Sequence, residues 1–125
     1  MNPRLMIVDD DPGVLKTVGL VLASHGHEVM KAANGLACLE QIRQGFRGVI
    51  LMDIMMPRLS GWDTIRAMRD EGLLRDNLIC MLTALPEPGP EGEDLQEVVF
   101  DYLPKPFTNR QLLDMVENAL ACLAA

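Results

Sequence analysis

The chain contains the stretch Val49-Ile50-Leu51-Met52-Asp53, in which four apolar residues are followed by a carboxylate. Three further apolar runs are also followed by polar residues: Arg4-Leu5-Met6-Ile7-Val8 by Asp9 and Asp10, Leu78-Ile79-Cys80-Met81-Leu82 by Thr83, and Tyr102-Leu103-Pro104 by Lys105. Short apolar runs of this kind are typical of parallel strands that are covered on both faces of a sheet. The runs therefore predict a parallel sheet at the centre of an α/β domain.

Helical patterns alternate with these strands. Asp11-Pro12 has the form of an N-cap followed by proline at the first helical position, and Thr108-Asn109-Arg110-Gln111 has the form of a capping box. Residues 27–32 form one more strand-like segment. Two helices are expected in the middle of the chain, one capped by Asn34 with Leu36, Leu39 and Ile42 facing inward, and one beginning at Ser60 with Ile65 and Met68 facing inward. This alternation predicts a doubly wound fold.

Length, composition and charge restrict the possible functions. The 125 residues, of which 49% are apolar, are expected to form one domain spanning residues 1–125. A net charge of −7 disfavours direct binding to nucleic acid or to an anionic membrane surface. The opening residues contain neither a signal peptide nor a membrane span, so a cytoplasmic protein is expected. The three cysteines are widely spaced and suggest neither disulfides nor a zinc site.

The polar residues that follow the strands predict a functional site. In open α/β sheets, ligands bind at the carboxyl ends of the strands, so Asp9, Asp10, Asp53, Thr83 and Lys105 are expected to meet in one crevice. Adjacent carboxylates repel each other unless a cation lies between them, and a small cluster of carboxylates with room for water favours Mg²⁺. A carboxylate is also a competent nucleophile toward an activated phosphoryl group. The set of residues therefore indicates phosphoryl transfer, with positive charge and donors placed around the phosphoryl oxygens.

The motifs that carry these residues resemble those of a known family. They are Val8-Asp9-Asp10-Asp11, the run from Asp53 to Gly61 that includes Met56-Pro57, Thr83-Ala84, and Tyr102-Leu103-Pro104-Lys105-Pro106-Phe107. In order and spacing, the chain is similar to the receiver domains of bacterial response regulators, and in particular to their single-domain, chemotaxis-type members. The resemblance extends over nearly the whole chain.

The resemblance implies a five-stranded parallel, flavodoxin-like sheet of order 2-1-3-4-5 with helices on both faces. It implies that Asp53 is the phosphoacceptor, which receives a phosphoryl group from a histidine kinase or a phosphotransfer protein. Mg²⁺ would be held by Asp10 directly, by Asp9 through water, by Asp53 and by the backbone carbonyl of Met55. The chain would act as a regulator that catalyses only its own phosphorylation and dephosphorylation.

The remaining motif residues have implied roles as well. Thr83 and Lys105 would hold the phosphoryl oxygens, and Ala84 would keep access to them open. Tyr102 would swing inward as Thr83 moves toward the phosphate, which changes the surface formed by the family's fourth helix, fifth strand and fifth helix. That surface would bind a downstream protein, or an output domain outside this chain. The bond before Pro106 is commonly cis in the family.

One segment departs from the family pattern. Three prolines between residues 86 and 90 make a full-length fourth helix improbable, because proline lacks an amide donor and biases the preceding residue away from helical dihedrals. At most a short helix from about Glu91 to Val99 is expected, with Leu95, Val98 and Val99 as apolar anchors. The segment before it is expected to be an extended or mobile loop.

Three other functions are weighed against this one. A phosphohydrolase of the haloacid dehalogenase type needs an aspartate two residues after its nucleophile, where this chain has Met55. A flavin or nucleotide binder needs a Gly- or Ser/Thr-rich loop after the first strand, where Asp9-Asp10-Asp11 would repel phosphate. An interaction module that signals without phosphate is disfavoured by the intact site, although the irregular fourth helix is consistent with it.

Overall fold

The fold was obtained as a computed structural model, which describes residues 4–84 and 90–124. Its centre is a five-stranded parallel sheet of order β2-β1-β3-β4-β5, as predicted. The strands are β1 (Leu5–Val8), β2 (Val29–Ala32), β3 (Val49–Asp53), β4 (Leu78–Thr83) and β5 (Val99–Pro104). Three of them, β1, β3 and β4, lie inside the sheet and are almost wholly buried, which is why their sequences are continuous apolar runs.

Four α-helices surround the sheet: α1 (Pro12–Ser24), α2 (Gly35–Arg43), α3 (Gly61–Asp70) and α4 (Asn109–Ala124). The predicted caps are present. The side chains of Asp11, Asn34 and Ser60 accept backbone amides at the starts of α1, α2 and α3. At the start of α4, Thr108 and Gln111 each accept the backbone amide of the other, which completes the capping box. Local hydrogen bonding therefore fixes where each helix begins.

The sheet separates two hydrophobic cores. One lies between the sheet and helices α1 and α4, and the other lies between the sheet and helices α2 and α3. The prediction that Leu36 faces the core is wrong, since its side chain is 62% exposed. The buried face of α2 consists of Gly35, Cys38, Leu39 and Ile42, with the i, i+3, i+4, i+7 spacing of one helical stripe. Leu36, in the first turn of α2, is rotated by about 100° around the helix axis from Gly35 and so points away from this stripe.

A 3₁₀ helix, Pro90–Leu95, occupies the position of the family's fourth helix. The predicted short helix is therefore present, but its predicted end is wrong. The helix ends at Leu95, where the Val98 amide donates to the Leu95 carbonyl in a turn, and Val99 already pairs with Ile79 as the first residue of β5. The loop expected before this helix falls on residues 85–89, outside the described part of the chain.

Strand β5 forms one edge of the sheet and contains an irregularity. Val99 is opposite Ile79 and Asp101 is opposite Cys80, so Phe100 has no partner residue on β4 and is 37% exposed. This is the arrangement of a β-bulge, which kinks an edge strand. Among the described residues, no helix is long and apolar enough to cross a membrane.

Candidate phosphoryl-transfer site

Strand register brings the predicted site residues to one edge of the sheet. Val8 is opposite Met52, which places Asp9 beside Asp53 at the ends of β1 and β3. Thr83 ends β4, is opposite Pro104, and accepts the Lys105 amide on its carbonyl at 2.6 Å. Residues separated by about a hundred positions in sequence therefore become neighbours, because parallel strands end together.

The Lys105 ammonium joins two of the carboxylates. Its Nζ lies 2.8 Å from Oδ2 of Asp9 and 3.5 Å from Oδ1 of Asp53. Asp9 is fully buried, and its other oxygen accepts the backbone amide of Asp11 at 3.0 Å. Burial alone would lower the pKa of Lys105, but the hydrogen bond to Asp9 and the charge of Asp53 outweigh it and raise that pKa. The lysine is therefore a fixed positive charge.

The negative charge of Asp53 is less fully compensated than that of Asp9. Burial, followed by the charge of Asp9, raises its pKa to about 6, although Lys105 and the Met55 amide act in the opposite direction. The Met55 amide donates to Oδ1 of Asp53 at 3.3 Å. At neutral pH the group is ionised, but it is held in surroundings that favour its neutralisation.

The three carboxylates form a cluster that fits a hard cation. Asp9, Asp10 and Asp53 each offer one oxygen, and these oxygens lie within 4.8 Å of one another. Asp10 is exposed, so water can complete the coordination of a bound ion. One lysine cannot balance three carboxylates, and a divalent cation with oxygen ligands supplies the missing charge. The donor set and its spacing therefore fit Mg²⁺.

A glycine shapes the turn that follows Asp53. The Gly61 amide donates to the Ile54 carbonyl at 2.9 Å, and a Cβ on Gly61 would lie 2.4 Å from the carbonyl oxygen of Asp53. Any larger residue would displace the backbone that carries the Asp53 carboxylate. In the same loop, the side chain of Met55 is 63% exposed beside Asp53.

The remaining predicted residues lie around this cluster. Thr83 is buried at the end of β4, Ala84 is exposed directly after it, and the Lys105–Pro106 peptide bond is cis. Tyr102 does not join the acidic cluster. Its ring packs on Trp62 with the centroids 6.4 Å apart, and its hydroxyl donates to Oε1 of Gln96 at 2.5 Å.

Sequence reasoning left the surroundings of Tyr102 unassigned. Trp62 is 1% exposed, in the core beneath the 3₁₀ helix. Gln96 and Arg66 belong to none of the sequence motifs. The one local signal was Gly92, a glycine inside a short helix, because isolated glycines often mark a close approach.

A family model for the response regulator receiver domain matches residues 5–117. The chain belongs to this family. Receiver domains are the regulated modules of two-component systems, and the fold and acidic cluster described above agree with that membership. The chain is 36% identical to the response regulator MprA of Mycobacterium ulcerans over 114 residues, which is 90% of this chain and 48% of MprA.

Other relatives give the same result. The chain is 32% identical to a CpxR-homologue transcriptional regulatory protein of Haemophilus influenzae, covering 94% of this chain and 50% of that protein. It therefore spans about half the length of these curated relatives. Among solved structures, a CheY-like receiver domain protein from Methanospirillum hungatei JF-1 superposes with a TM-score of 0.91 at 41% identity, covering 96% of this chain and 95% of that one.

The raised pKa of Asp53 predicts how stability depends on pH in the absence of divalent cations. The folded receiver domain binds a proton on Asp53 up to about pH 6, whereas the unfolded chain releases it near the ordinary value of 3.8. The free energy of unfolding should therefore fall as pH rises through this window, by on the order of 3 kcal/mol, and remain lower above it.

Urea denaturation in a chelator checks this dependence. Asp53→Asn should remove the fall and be more stable than wild type at neutral pH. Asp114→Asn, which alters an exposed carboxylate on α4, should keep the fall. A wild-type stability that rises between pH 4 and pH 6 as steeply as that of Asp53→Asn would contradict the assignment.

Proposed function

We propose that this chain is the phosphoacceptor module of a two-component phosphorelay and that Asp53 receives the phosphoryl group. The observation that carries the proposal is the contact of the Lys105 ammonium with both Asp9 and Asp53, beside a third carboxylate at the same sheet edge. This set contains a nucleophile, a fixed positive charge and ligands for a divalent cation, which are the parts that phosphoryl transfer requires.

Asp53 is suited to act as the nucleophile. One of its oxygens contacts Lys105 and the Met55 amide, which holds the carboxylate in one orientation. The second oxygen would attack the phosphorus of a phosphohistidine, so that an O–P bond forms as the P–N bond breaks and the histidine nitrogen leaves with the electron pair. The donor would be a histidine kinase or a phosphotransfer protein.

The surrounding groups would stabilise the charge on the transferred group. Lys105 lies 3.5 Å from Asp53, close enough for its ammonium to pair with an oxygen of a phosphoryl group on that carboxylate. The hydroxyl of Thr83, at the end of β4, would donate a hydrogen bond to a second phosphoryl oxygen. Asp9, Asp10, Asp53 and the Met55 carbonyl would hold Mg²⁺, which supplies charge neutralisation when bound. Ala84, small and exposed, would leave the phosphoryl group accessible.

The proposed role is regulation rather than turnover of a substrate. Met55 stands two residues after Asp53, where a dehalogenase-type phosphohydrolase has its acid and base, and its thioether cannot transfer protons. The 125 residues would act as one receiver unit in the cytoplasm. Phosphorylation would move Thr83 and Tyr102 and so change the surface around β5, which would bind a downstream protein or an output domain outside this chain.

Incubation with a small phosphodonor such as acetyl phosphate tests the acceptor assignment. We expect the mass of one phosphoryl group to be added to wild type and to Asp114→Asn in the presence of Mg²⁺, and nothing to be added to Asp53→Asn or after chelation. Intact-mass spectrometry and phosphate-affinity gels give the readout. Phosphorylation that persists in Asp53→Asn, or proceeds fully without divalent cations, would refute the proposal.

The exposed side chain of Met55 predicts a long-lived phosphoryl group. An apolar residue at this position cannot orient the attacking water by hydrogen bonding, so self-dephosphorylation should be slow. Met55→Asn should accelerate the loss of phosphate several-fold, whereas Met55→Leu, which keeps an apolar side chain, should not. Loss of phosphate can be followed on gels after the donor is removed. Equal rates for wild type and Met55→Asn would count against this role.

A further inference from the structure

An arginine pair on α3 holds the 3₁₀ helix in place. The Arg66 guanidinium donates to both carboxylate oxygens of Asp94, at 2.7 and 3.3 Å, and also to the Glu91 carbonyl. Arg69 lies 3.4 Å from the same carboxylate. We refer to Arg66, Arg69 and Asp94 as the α3 clamp. A planar guanidinium that pairs with a carboxylate through two bonds fixes direction as well as distance.

The helix held by the clamp rests on the indole ring of Trp62. A Cβ on Gly92 would lie 2.3 Å from a carbon of that ring, so the backbone of the helix is in direct contact with it. Leu95 is fully buried in the same core. The position of this helix is therefore set from one side by packing on Trp62 and from the other by the α3 clamp.

Gln96 connects this helix to Tyr102. Its side-chain Nε2 donates to the Gly92 carbonyl at 3.1 Å, and its Oε1 accepts the Tyr102 hydroxyl at 2.5 Å. The Tyr102 ring also packs against Trp62. Tyr102 thus cannot leave its present position without losing its bond to Gln96, and Gln96 is itself tied to the backbone of the clamped helix.

We propose that the α3 clamp is a brake on the phosphorylation switch. The clamp holds the 3₁₀ helix on Trp62, the helix holds Gln96, and Gln96 holds Tyr102 at its present position, outside the acidic cluster. Asp94 and Gln96 are positioning residues in this scheme, because they act on the switch through Tyr102 and do not touch the acidic cluster. The inference rests on the proposed function, in which occupation of Asp53 moves Tyr102.

Thermodynamic linkage gives the brake a measurable consequence. If occupation of Asp53 favours release of Tyr102, then weakening the interactions that hold Tyr102 must increase the affinity of Asp53 for a phosphoryl group or its analogue. The affinity for Mg²⁺ alone should be unchanged, since no residue of the clamp contacts Asp9, Asp10 or Asp53. The effect should be moderate because the clamp is partly exposed.

The test is a titration with beryllofluoride, a stable mimic of a phosphoryl group on a carboxylate, at saturating Mg²⁺. Trp62 is the only tryptophan of the chain and lies between the 3₁₀ helix and Tyr102, so its fluorescence reports the transition directly. Asp94→Asn should bind the analogue about threefold more tightly than wild type. Arg66→Lys, which keeps the charge but loses the paired bonds, should act in the same direction and serves as the test if Asp94→Asn does not fold.

Two controls separate a brake from a general structural effect. Glu71→Gln breaks a comparable paired bond, which joins Arg43 of α2 to the C-cap residue of α3, and should leave the affinity unchanged. Gln96→Met should itself tighten binding, and a clamp substitution added to it should have no further effect, because the connection to Tyr102 is already lost.

The outcomes are distinguishable. The brake would be overturned, and the proposed function left intact, if the clamp variants bound beryllofluoride with unchanged affinity. The same conclusion would follow if a clamp substitution raised this affinity as much in the Gln96→Met background as in wild type. A wild-type protein that binds no beryllofluoride, or binds it equally well as Asp53→Asn, would overturn the proposed function and the brake together.

Discussion

The contact of the Lys105 ammonium with Asp9 and Asp53 is the interaction on which the site depends. Charged groups are costly to bury unless they are paired, and Asp9 is fully buried directly after β1, an interior strand of the sheet. Lys105 and the Asp11 amide satisfy Asp9, and the same ammonium lies 3.5 Å from Asp53, so a single positive charge is shared among three carboxylates. The protein therefore maintains an excess of negative charge at one edge of its sheet. A divalent cation is the partner that such an arrangement favours.

The fold supplies this arrangement through strand register. β3 ends one residue beyond β1, β4 ends one residue beyond β3, and Lys105 follows the end of β5, so that groups from four strands converge without a loop of unusual length. The sharp return of the chain after Asp53 requires a glycine at position 61, because the backbone passes too close to the Asp53 carbonyl for a side chain. The Asp53 carboxylate is thus held by backbone geometry as well as by its contacts with the Met55 amide and Lys105.

Much of this was predictable because it is encoded locally or by a general rule. The apolar runs, the Asp11 and Asn34 caps and the Thr108 capping box each involve residues a few positions apart, and parallel strands bring their carboxyl ends together in any doubly wound fold. Leu36 was misplaced because an apolar residue next to a helix cap was assigned to the buried stripe. The end of the 3₁₀ helix was misplaced because pairing of Val99 with β4 overrides a helical preference that is weak at β-branched residues.

The connection around Tyr102 could not be read from the sequence. Arg66 and Asp94 are 28 positions apart, and Gln96 reaches Tyr102 only after the bulge at Phe100 sets the path of β5. Exposed arginines, acidic residues and glutamines belong to no recognisable sequence motif. The contacts among Arg66, Asp94 and Gln96 and their partners form only in the folded chain, where the 3₁₀ helix packs on Trp62. In this receiver domain the 3₁₀ helix is held by side-chain contacts with α3 and β5.

The central claim is that the acidic cluster is short of positive charge and is completed by a divalent cation. Thermal denaturation with and without Mg²⁺ tests it most directly, in wild type, in Asp10→Asn and in Asp11→Asn. Asp11 lies beside the cluster but caps α1, a role that asparagine also fills. Mg²⁺ should raise the denaturation temperature of wild type and Asp11→Asn, and have little effect on Asp10→Asn. An equal shift in all three proteins, or no shift in wild type, would contradict the account.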